Sequence, residues 1–485
     1  MSSISKNFFY NTILSVSQVL FPLIIFAYAA RIINPAGIGK VSFVESICRY
    51  VILIAALGIP IYGVREIAKV KNDKTKLNSI FNEIVSIHII ISIAISVFYL
   101  IIIFFIEKFN NDIEYYLLGL IMIFSNVFTV EWYFQGTSNF KFITLRTIFV
   151  RTFTVILVFF IVTKSEDEIY FFLLTIITLL LNSIINFWYA CKTINFKFII
   201  NISEFKKHFK PLLLIFSSTV SISLYVLMDI ILLGFLSDEK AVGFYSIALK
   251  ISKIPMLFVG ALGMVLIPQL SYSFIQNDIE NINVLISKSI NFVVTFSIPI
   301  IFLIFGLSSD LILILFGEQF IEAAETLKIL SVLVFLIGMS NIFGLQILTP
   351  MGKDKYLTFS VLFGTILSLT LNFILIPFYQ EKGAAITTVI TELVVTFSTY
   401  YFANKFLKIE IDYKFIIVSF LFSTPFYLFT LIRNYLHVNK IAVLILILLL
   451  SFIYFAIMQL YLIKNKIIIE LKNKLIQKIW PNTII

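Results

Sequence analysis

Long apolar stretches separated by short polar loops repeat along nearly the whole chain. An α-helix needs roughly 20 apolar residues to cross the hydrocarbon core of a membrane. By that measure the chain contains fourteen candidate membrane-spanning helices, near residues 8–30, 41–62, 80–106, 113–134, 142–162, 169–190, 212–235, 242–270, 286–305, 323–348, 356–377, 383–403, 414–432 and 440–463. The end of the ninth is open, because the apolar segment 311–316 either extends it or forms a short outer hairpin.

The composition is that of a membrane protein. Hydrophobic residues make up 60% and charged residues 13% of the chain, whereas soluble domains average about 45–50% apolar and about 25% charged residues. The two cysteines imply no disulfide framework, the three histidines lack zinc-binding spacing, and no Walker A sequence is present. The sequence therefore predicts an all-α integral membrane protein that needs no metal or organic cofactor.

The distribution of Lys and Arg predicts how the helices are oriented. Cytoplasmic loops of membrane proteins carry an excess of these residues. With a cytoplasmic N-terminus, most of the 37 Lys and Arg residues fall on inner segments, including the C-terminal tail. The outer loops 107–112, 164–168 and 237–240 are short and often acidic. This asymmetry between inner and outer segments predicts that both termini are cytoplasmic. It also accounts for the net charge of +10 better than a nucleic-acid partner does.

The two halves of the chain share a pattern of loop glycines. Gly39 and Gly243 each follow a short polar outer turn and open the next apolar span, which ends at a proline in both halves. Gly136 and Gly352 match in the same order, in the loops after the fourth and tenth spans. The regular order of these matches predicts an internal repeat.

The repeat predicts the domain organisation. Because six helices per half is an even number, both halves enter the membrane from the same side and are related by an axis along the membrane normal. We therefore predict an N-terminal six-helix bundle at residues 1–205 and a second bundle at 206–410. An additional helix pair with a basic cytoplasmic tail follows at 411–485.

The segments NFFYNTILSVSQVLFPLIIFAYAARIINPAGIGKVSFVESI and LLGFLSDEKAVGFYSIALKI resemble Wzx-type polysaccharide flippases. These flippases share a superfamily with the MATE drug exporters and the lipid II flippases. The resemblance covers the chain to about residue 410, and it implies two six-helix bundles in a V around a central cavity that opens alternately to each side.

The resemblance also implies a function. Members move undecaprenyl-pyrophosphate-linked oligosaccharide repeat units from the inner to the outer leaflet of the bacterial inner membrane, for O-antigen or capsule biosynthesis. A polysaccharide polymerase and a chain-length regulator are the protein partners that it implies.

Charged residues within the predicted spans are the candidate functional residues. A charge at the centre of a bilayer costs at least about 2.5–3.5 kcal/mol, so such a side chain faces protein or water. Glu45 and Arg49 lie one turn apart on the second helix and are able to pair. Taken alone, this pair is equally consistent with a buried brace between two helices.

Four cations, Arg31, Arg49, Lys250 and Lys253, fall in the outer half of the predicted membrane region. If the two halves face each other, these side chains converge on one cavity wall. Cations in a cavity of low dielectric bind pyrophosphate more strongly than in bulk water, and Arg offers forked donors to phosphate oxygens. The resemblance to the lipid II flippases implies a cavity arginine in the second helix near the position of Arg49.

Three other charged residues have two interpretations each. Arg151, in the fifth helix, either guides the substrate headgroup or extends to the inner interface. Asp229 and Glu392 either bind a coupling ion, H⁺ or Na⁺, or neutralise neighbouring cations such as Lys250 or Arg49. The sequence leaves both alternatives open.

Two other functions fit the sequence less well than a flippase. A MATE-like exporter of drugs or cations favours an acidic cavity, whereas the predicted spans here carry more Lys and Arg. A membrane glycosyltransferase or polymerase places acidic catalytic residues in a substantial outer loop, and the acidic loop 164–168 is too short to build such a site. The sequence therefore favours a transporter over an enzyme.

Overall fold

Helices account for almost all of the secondary structure in the computed structural model of the chain. The structure describes residues 3–436 and 440–462, with side chains described except at 3–9, 202, 204, 217–227, 261, 264, 265, 434 and 462. No β-strand occurs in the described part of the chain. The predicted all-α class is therefore confirmed, whereas the predicted basic tail lies outside the described residues.

Contacts divide the chain into two compact units, Met1–Ser246 and Ile247–Ile485. The first unit contains α1 (Ser3–Ile32), α2 (Pro35–Ala56), α3 (Ile59–Val70), α4 (Lys74–Phe105), α5 (Glu107–Asn110), α6 (Ile113–Val127), α7 (Glu131–Gly136), α8 (Phe140–Ile161), α9 (Glu168–Cys191) and α10 (Ile202–Leu236). Helix α11 (Glu239–Lys253) begins in the first unit and ends in the second. The second unit continues with α12 (Met256–Ile275), α13 (Ile279–Phe316), α14 (Ala323–Leu330), α15 (Leu333–Asn341), α16 (Asp354–Phe406), α17 (Tyr413–Leu421), α18 (Thr424–Thr430) and α19 (Lys440–Ile457). The predicted repeat boundaries at 205 and 410 stay predictions.

Eleven helical segments of the described chain are long and apolar enough to cross a membrane. One of them, α16, has 53 residues, which corresponds to about 80 Å, more than twice the hydrocarbon thickness of about 30 Å. Within it, Gln380 has φ 49° and ψ −126°. Helix α16 therefore consists of two helices joined at a kink, which correspond to the predicted spans 356–377 and 383–403. The count of fourteen spans stays a prediction.

Helix α13 settles the end of the ninth predicted span. It runs without a break over 38 residues from Ile279 to Phe316. The apolar segment 311–316 therefore extends the helix and does not form an outer hairpin. Pro299 lies inside this helix and is buried, which membrane helices tolerate because neighbouring groups satisfy the freed backbone carbonyl.

Helices α2 and α3 divide the second predicted span at Leu57 and Gly58. Both residues have a positive φ, 44° and 79°. Glycine adopts such angles at no steric cost, and Pro60, in the first turn of α3, starts a helix without losing a hydrogen bond. The apolar segment Pro35–Val70 therefore crosses as two helices with a bend between them.

Each unit has its own apolar core. In the first unit, α3, α4, α7 and α10 meet around a cluster that includes Phe81, Trp132 and Leu212. In the second unit, α12, α13 and α15 pack around Val293 and Met339.

Candidate functional site

The Glu45–Arg49 pair on α2 is present as the helical spacing predicts. Nη2 of Arg49 lies 2.6 Å and Nε 2.8 Å from Oε1 of Glu45, so both guanidinium donors bind one carboxylate oxygen. The Arg49 side chain is 57% exposed and that of Glu45 is 15% exposed. Both partners of this pair belong to α2, and the choice between a structural and a substrate-facing role stays open.

The core-facing side of α2 explains why Arg49 is accessible. Cys48 is fully buried, and its sulfur lies 3.7 Å from the hydroxyl of Tyr99 on α4. A Cβ atom at Gly119 of α6 would collide with the same sulfur. Because Cys48 packs against α4 and α6, the helix turns Arg49 away from the core of the first unit.

Arg49 lies deep within a helical segment that is able to cross a membrane. The residue lies 14 positions after the start of α2, or about 21 Å along the helix axis, inside a segment able to cross a membrane. A charge at that depth is costly in hydrocarbon and is normally retained where it faces water or a polar partner. Glu45 is a polar partner for this charge, and contact between Arg49 and a substrate stays a prediction.

Arg31 lies at a different level from Arg49. It belongs to the last turn of α1, where a cation interacts favourably with the helix dipole, and it is exposed. Because α2 begins only a few residues later, at Pro35, Arg31 marks the turn between the two helices. The two arginines are therefore separated by roughly 20 Å along the axis of α2.

Lys250 and Lys253 lie in the last turn of α11, in the second unit. Lys250 is half-buried and Lys253 is exposed. Their spacing of three residues places them on the same side of the helix. Their predicted convergence with Arg49 stays a prediction.

The two candidate coupling carboxylates are both buried. Asp229 on α10 is 4% exposed and accepts a hydrogen bond of 3.0 Å from the hydroxyl of Tyr245 on α11. Glu392 on α16 is 6% exposed. Burial fits either a coupling-ion site or charge neutralisation, so ion coupling at these residues stays a prediction. Among the described residues, no group of three His, Cys, Asp or Glu side chains has an arrangement that could hold a metal ion.

Arg151 takes part in a contact that the sequence did not predict. Its guanidinium donates to the backbone carbonyl of Ser17 and so connects α8 to α1. One and a half turns earlier, Arg146 is buried and pairs with Glu131 at 2.7 Å, and it also donates to Asn182. Arg146 was not among the candidate residues of the sequence, and its buried position emerges only from the packing of α7, α8 and α9.

A network of charged side chains at the predicted outer end of the first unit was also missed. Nζ of Lys40 lies 2.9 Å from Asp112 and 3.1 Å from Glu168. The hydroxyl of Tyr115 donates to the same glutamate at 3.1 Å. From the sequence, the acidic loops 107–112 and 164–168 indicated only which loops lie on the outer side of the membrane. The fold brings both loops to Lys40 on α2.

The third acidic loop joins this network through Glu239. Lys108 donates to the carbonyl of Gly234, and burial lowers the pKa of this lysine. Burial raises the pKa of the half-buried Glu239, although Lys40 acts in the opposite direction. These side chains surround a space of about 20 Å³, room for about one water molecule. The side chains of this network are therefore packed with little free space between them.

A second buried cluster connects α3, α4 and α10. Nε2 of His208 lies 2.8 Å from Oε2 of Glu83, and its Nδ1 lies 2.6 Å from the hydroxyl of Tyr62. Ser79 donates to the other oxygen of Glu83 at 2.5 Å. All three members of the Tyr62–His208–Glu83 chain are less than a tenth exposed. The sequence did not indicate this cluster, because its members are far apart in the chain and form no motif.

Comparison with known proteins adds the family. The model of a family described as polysaccharide biosynthesis protein matches residues 4–274. A putative O-antigen transporter of Escherichia coli (strain K12) is 26% identical over 395 residues, which cover 81% of this chain and 95% of that protein. The capsular polysaccharide biosynthesis protein CapF of Staphylococcus aureus is 26% identical over 406 residues, 82% of this chain and 99% of that protein.

Solved structures share the fold. The inward closed conformation of the lipid II flippase MurJ superposes with a TM-score of 0.69, covering 95% of this chain and 99% of that one. The sequence identity is 16%. At that identity, the match establishes the fold but does not identify a substrate.

Proposed function

The chain belongs to the family of polysaccharide biosynthesis proteins, and from that premise we propose that it is a flippase for a lipid-linked oligosaccharide. Its substrate is an undecaprenyl-pyrophosphate-linked repeat unit, moved from the inner to the outer leaflet of the bacterial inner membrane. The product feeds a surface polysaccharide of the O-antigen or capsule type. The names of the relatives and the flippase fold support this proposal.

The observation that supports Arg49 as a substrate-binding residue is its exposure. Its side chain is 57% exposed within a segment that is able to cross a membrane. Glu45 compensates its charge and fixes its orientation while the site is empty. A pyrophosphate offers several anionic oxygens, and paired N–H groups bind such oxygens strongly. On arrival, the diphosphate competes with Glu45 for the guanidinium, so binding and release exchange one ion pair for another.

Transport also needs movement and a driving force. The bend between α2 and α3 at Gly58 lies two to three turns from Arg49, which allows the half of the segment that carries Arg49 to tilt independently. Buried carboxylates in membrane helices commonly carry ions. Asp229 and Glu392 are therefore the proposed sites for a coupling H⁺ or Na⁺.

The proposal is tested by complementation in a strain that lacks its own copy of this gene. The Arg49→Ala and Lys250→Ala double variant should abolish surface polysaccharide and accumulate the lipid-linked repeat unit in the inner leaflet. Arg65→Ala is the matched control, because Arg65 is 51% exposed and likewise pairs with a glutamate, Glu66, at 3.0 Å. The control should retain transport.

Two outcomes would contradict the proposal. Wild-type surface polysaccharide from the double variant, at a normal amount of protein, would show that these cations are not needed for the substrate. Loss of polysaccharide without accumulation of the lipid-linked unit would place the defect before the flipping step.

A further inference from the structure

An open groove lies on the surface of the first unit where α4, α10 and the segment between α9 and α10 meet. Its volume is about 480 Å³. The groove is lined by the apolar side chains of Ile90, Ile200, Phe205 and Phe209, and by Lys206 and Lys210. We call it the linker groove.

The linker forms one wall because it is fastened along α4. The backbone nitrogen of Asn195 donates to Asn78 at 2.9 Å, and Asn82 donates to the carbonyl of Asn195 at 3.0 Å. The backbone nitrogen of Ile199 donates to the hydroxyl of Ser86 at 2.9 Å. The three α4 residues that make these bonds are spaced by four and therefore lie on one face of the helix. These bonds hold the linker segment alongside α4, running in the same direction as the helix.

The contact between Glu83 and His208 sets the depth of the groove. This hydrogen-bonded contact joins Nε2 of His208 on α10 to Oε2 of Glu83 on α4 at 2.8 Å, so the start of α10 lies level with Glu83. Ile90 lies seven residues further along α4, or about 10 Å deeper into the apolar segment. Lys206 and Lys210 are one turn apart on α10 and both are exposed. The groove therefore has cations at its rim and an apolar floor below them.

The exposed apolar side chains need a cover. Phe209 is 51% and Ile200 is 74% exposed. Both lie beside lysines, on the face that the charge distribution assigns to the cytoplasm. Basic pockets between membrane helices on that side attract anionic lipid headgroups, and each lysine near the surface adds to the attraction.

We propose that the linker groove binds an anionic phospholipid of the cytoplasmic leaflet. One acyl chain covers Ile90, Ile200 and Phe209, and the phosphate lies between Lys206 and Lys210. The volume favours a phospholipid over the polyprenyl carrier, whose single chain has several times as many carbon atoms as an acyl chain and would extend far beyond the groove. A bound lipid braces the linker against α4 and α10.

The proposal is tested by native mass spectrometry of the full chain in detergent with defined lipids. Wild-type protein should retain phosphatidylglycerol about tenfold more than phosphatidylethanolamine, because only the first carries a net negative charge. The Lys206→Gln and Lys210→Gln double variant should lose this preference. Ile90→Trp should reduce binding of both lipids, because the indole fills the apolar floor without changing the charge.

The Lys353→Gln and Lys355→Gln double variant is the control, because it removes the same charge from another predicted inner loop. It should keep the preference for phosphatidylglycerol. The proposal is overturned if wild-type protein does not discriminate between the two lipids, or if the control loses the preference as fully as the groove variant. Displacement of phosphatidylglycerol by equimolar undecaprenyl phosphate would also overturn it, by identifying the groove as a site for the carrier.

Discussion

Gly39 and Gly243 lie against each other, backbone to backbone, in a reciprocal contact. A Cβ atom on Gly39 would lie 2.8 Å from the backbone nitrogen of Gly243 and would overlap the carbonyl of Glu239. A Cβ atom on Gly243 would lie 3.3 Å from the backbone nitrogen of Gly39 and would overlap the carbonyl of Pro35. Glu239 precedes Gly243 by four residues, as Pro35 precedes Gly39. The contact is therefore the same from both sides, as expected where two copies of a repeated element meet about a twofold axis.

This contact predicts that alanine is not tolerated at either glycine. Gly39→Ala or Gly243→Ala should destabilise the protein by about 1–3 kcal/mol, because the added methyl group meets backbone atoms that cannot rotate away. Thermal unfolding in detergent, followed by intrinsic fluorescence, measures the effect. Gly260→Ala is the control, because nothing lies within 4 Å of the added atom. An equal loss in the control would argue against the contact.

Arg49 should not be replaceable by lysine. Arg49→Lys keeps the positive charge but loses the forked donors, so transport should fall by about tenfold if the substrate is a diphosphate. The readout is the amount of surface polysaccharide at matched protein level, with Arg65→Lys as the control. Full activity of the lysine variant would mean that charge alone is recognised.

The buried pair of Glu83 and His208 should be energetically coupled. Glu83→Ala or His208→Ala alone should cost about 1–3 kcal/mol, because each leaves a buried polar group without its partner. The double variant should cost clearly less than the sum of the two. The exposed pair Glu325–Lys328, 2.6 Å apart, is the comparison and should contribute no more than about 1 kcal/mol. Additive effects at Glu83 and His208 would show that the pair does not act as a unit.

The cap at the start of α4 should make stability depend on pH. The hydroxyl of Thr75 and the backbone of Lys76 donate to Asp73 and lower its pKa from 3.8 to about 2. Because folding lowers the pKa of Asp73, the stabilisation is complete above about pH 4. It is lost as the pH falls toward about 2. Asp73→Ala should therefore lower the melting temperature near neutral pH by more than it does near pH 3. If Asp73→Ala lowers the melting temperature equally at both pH values, the charge of Asp73 is not involved.

The sequence indicated much of the fold because lipid leaves the backbone few choices. An apolar segment in hydrocarbon must satisfy its own hydrogen bonds, so each long apolar run has to be a helix. The pairing of Glu45 with Arg49 was predictable for a similar reason, since residues four apart always share a helix face. The end of α13 was not predictable, because apolarity alone does not distinguish a continued helix from a hairpin.

The tertiary structure alone decided which distant groups meet. Glu83 and His208 are 125 residues apart in the sequence, and Lys40 reaches two acidic loops that are widely separated along the chain. No local pattern encodes such contacts, because they depend on which helices pack together and at what level. By itself, the sequence determined a helical membrane protein with an ion pair on one face of a helix, and it predicted a repeated half. The packing of α2 against α4 and α6 decided that Arg49 faces accessible space and not the core.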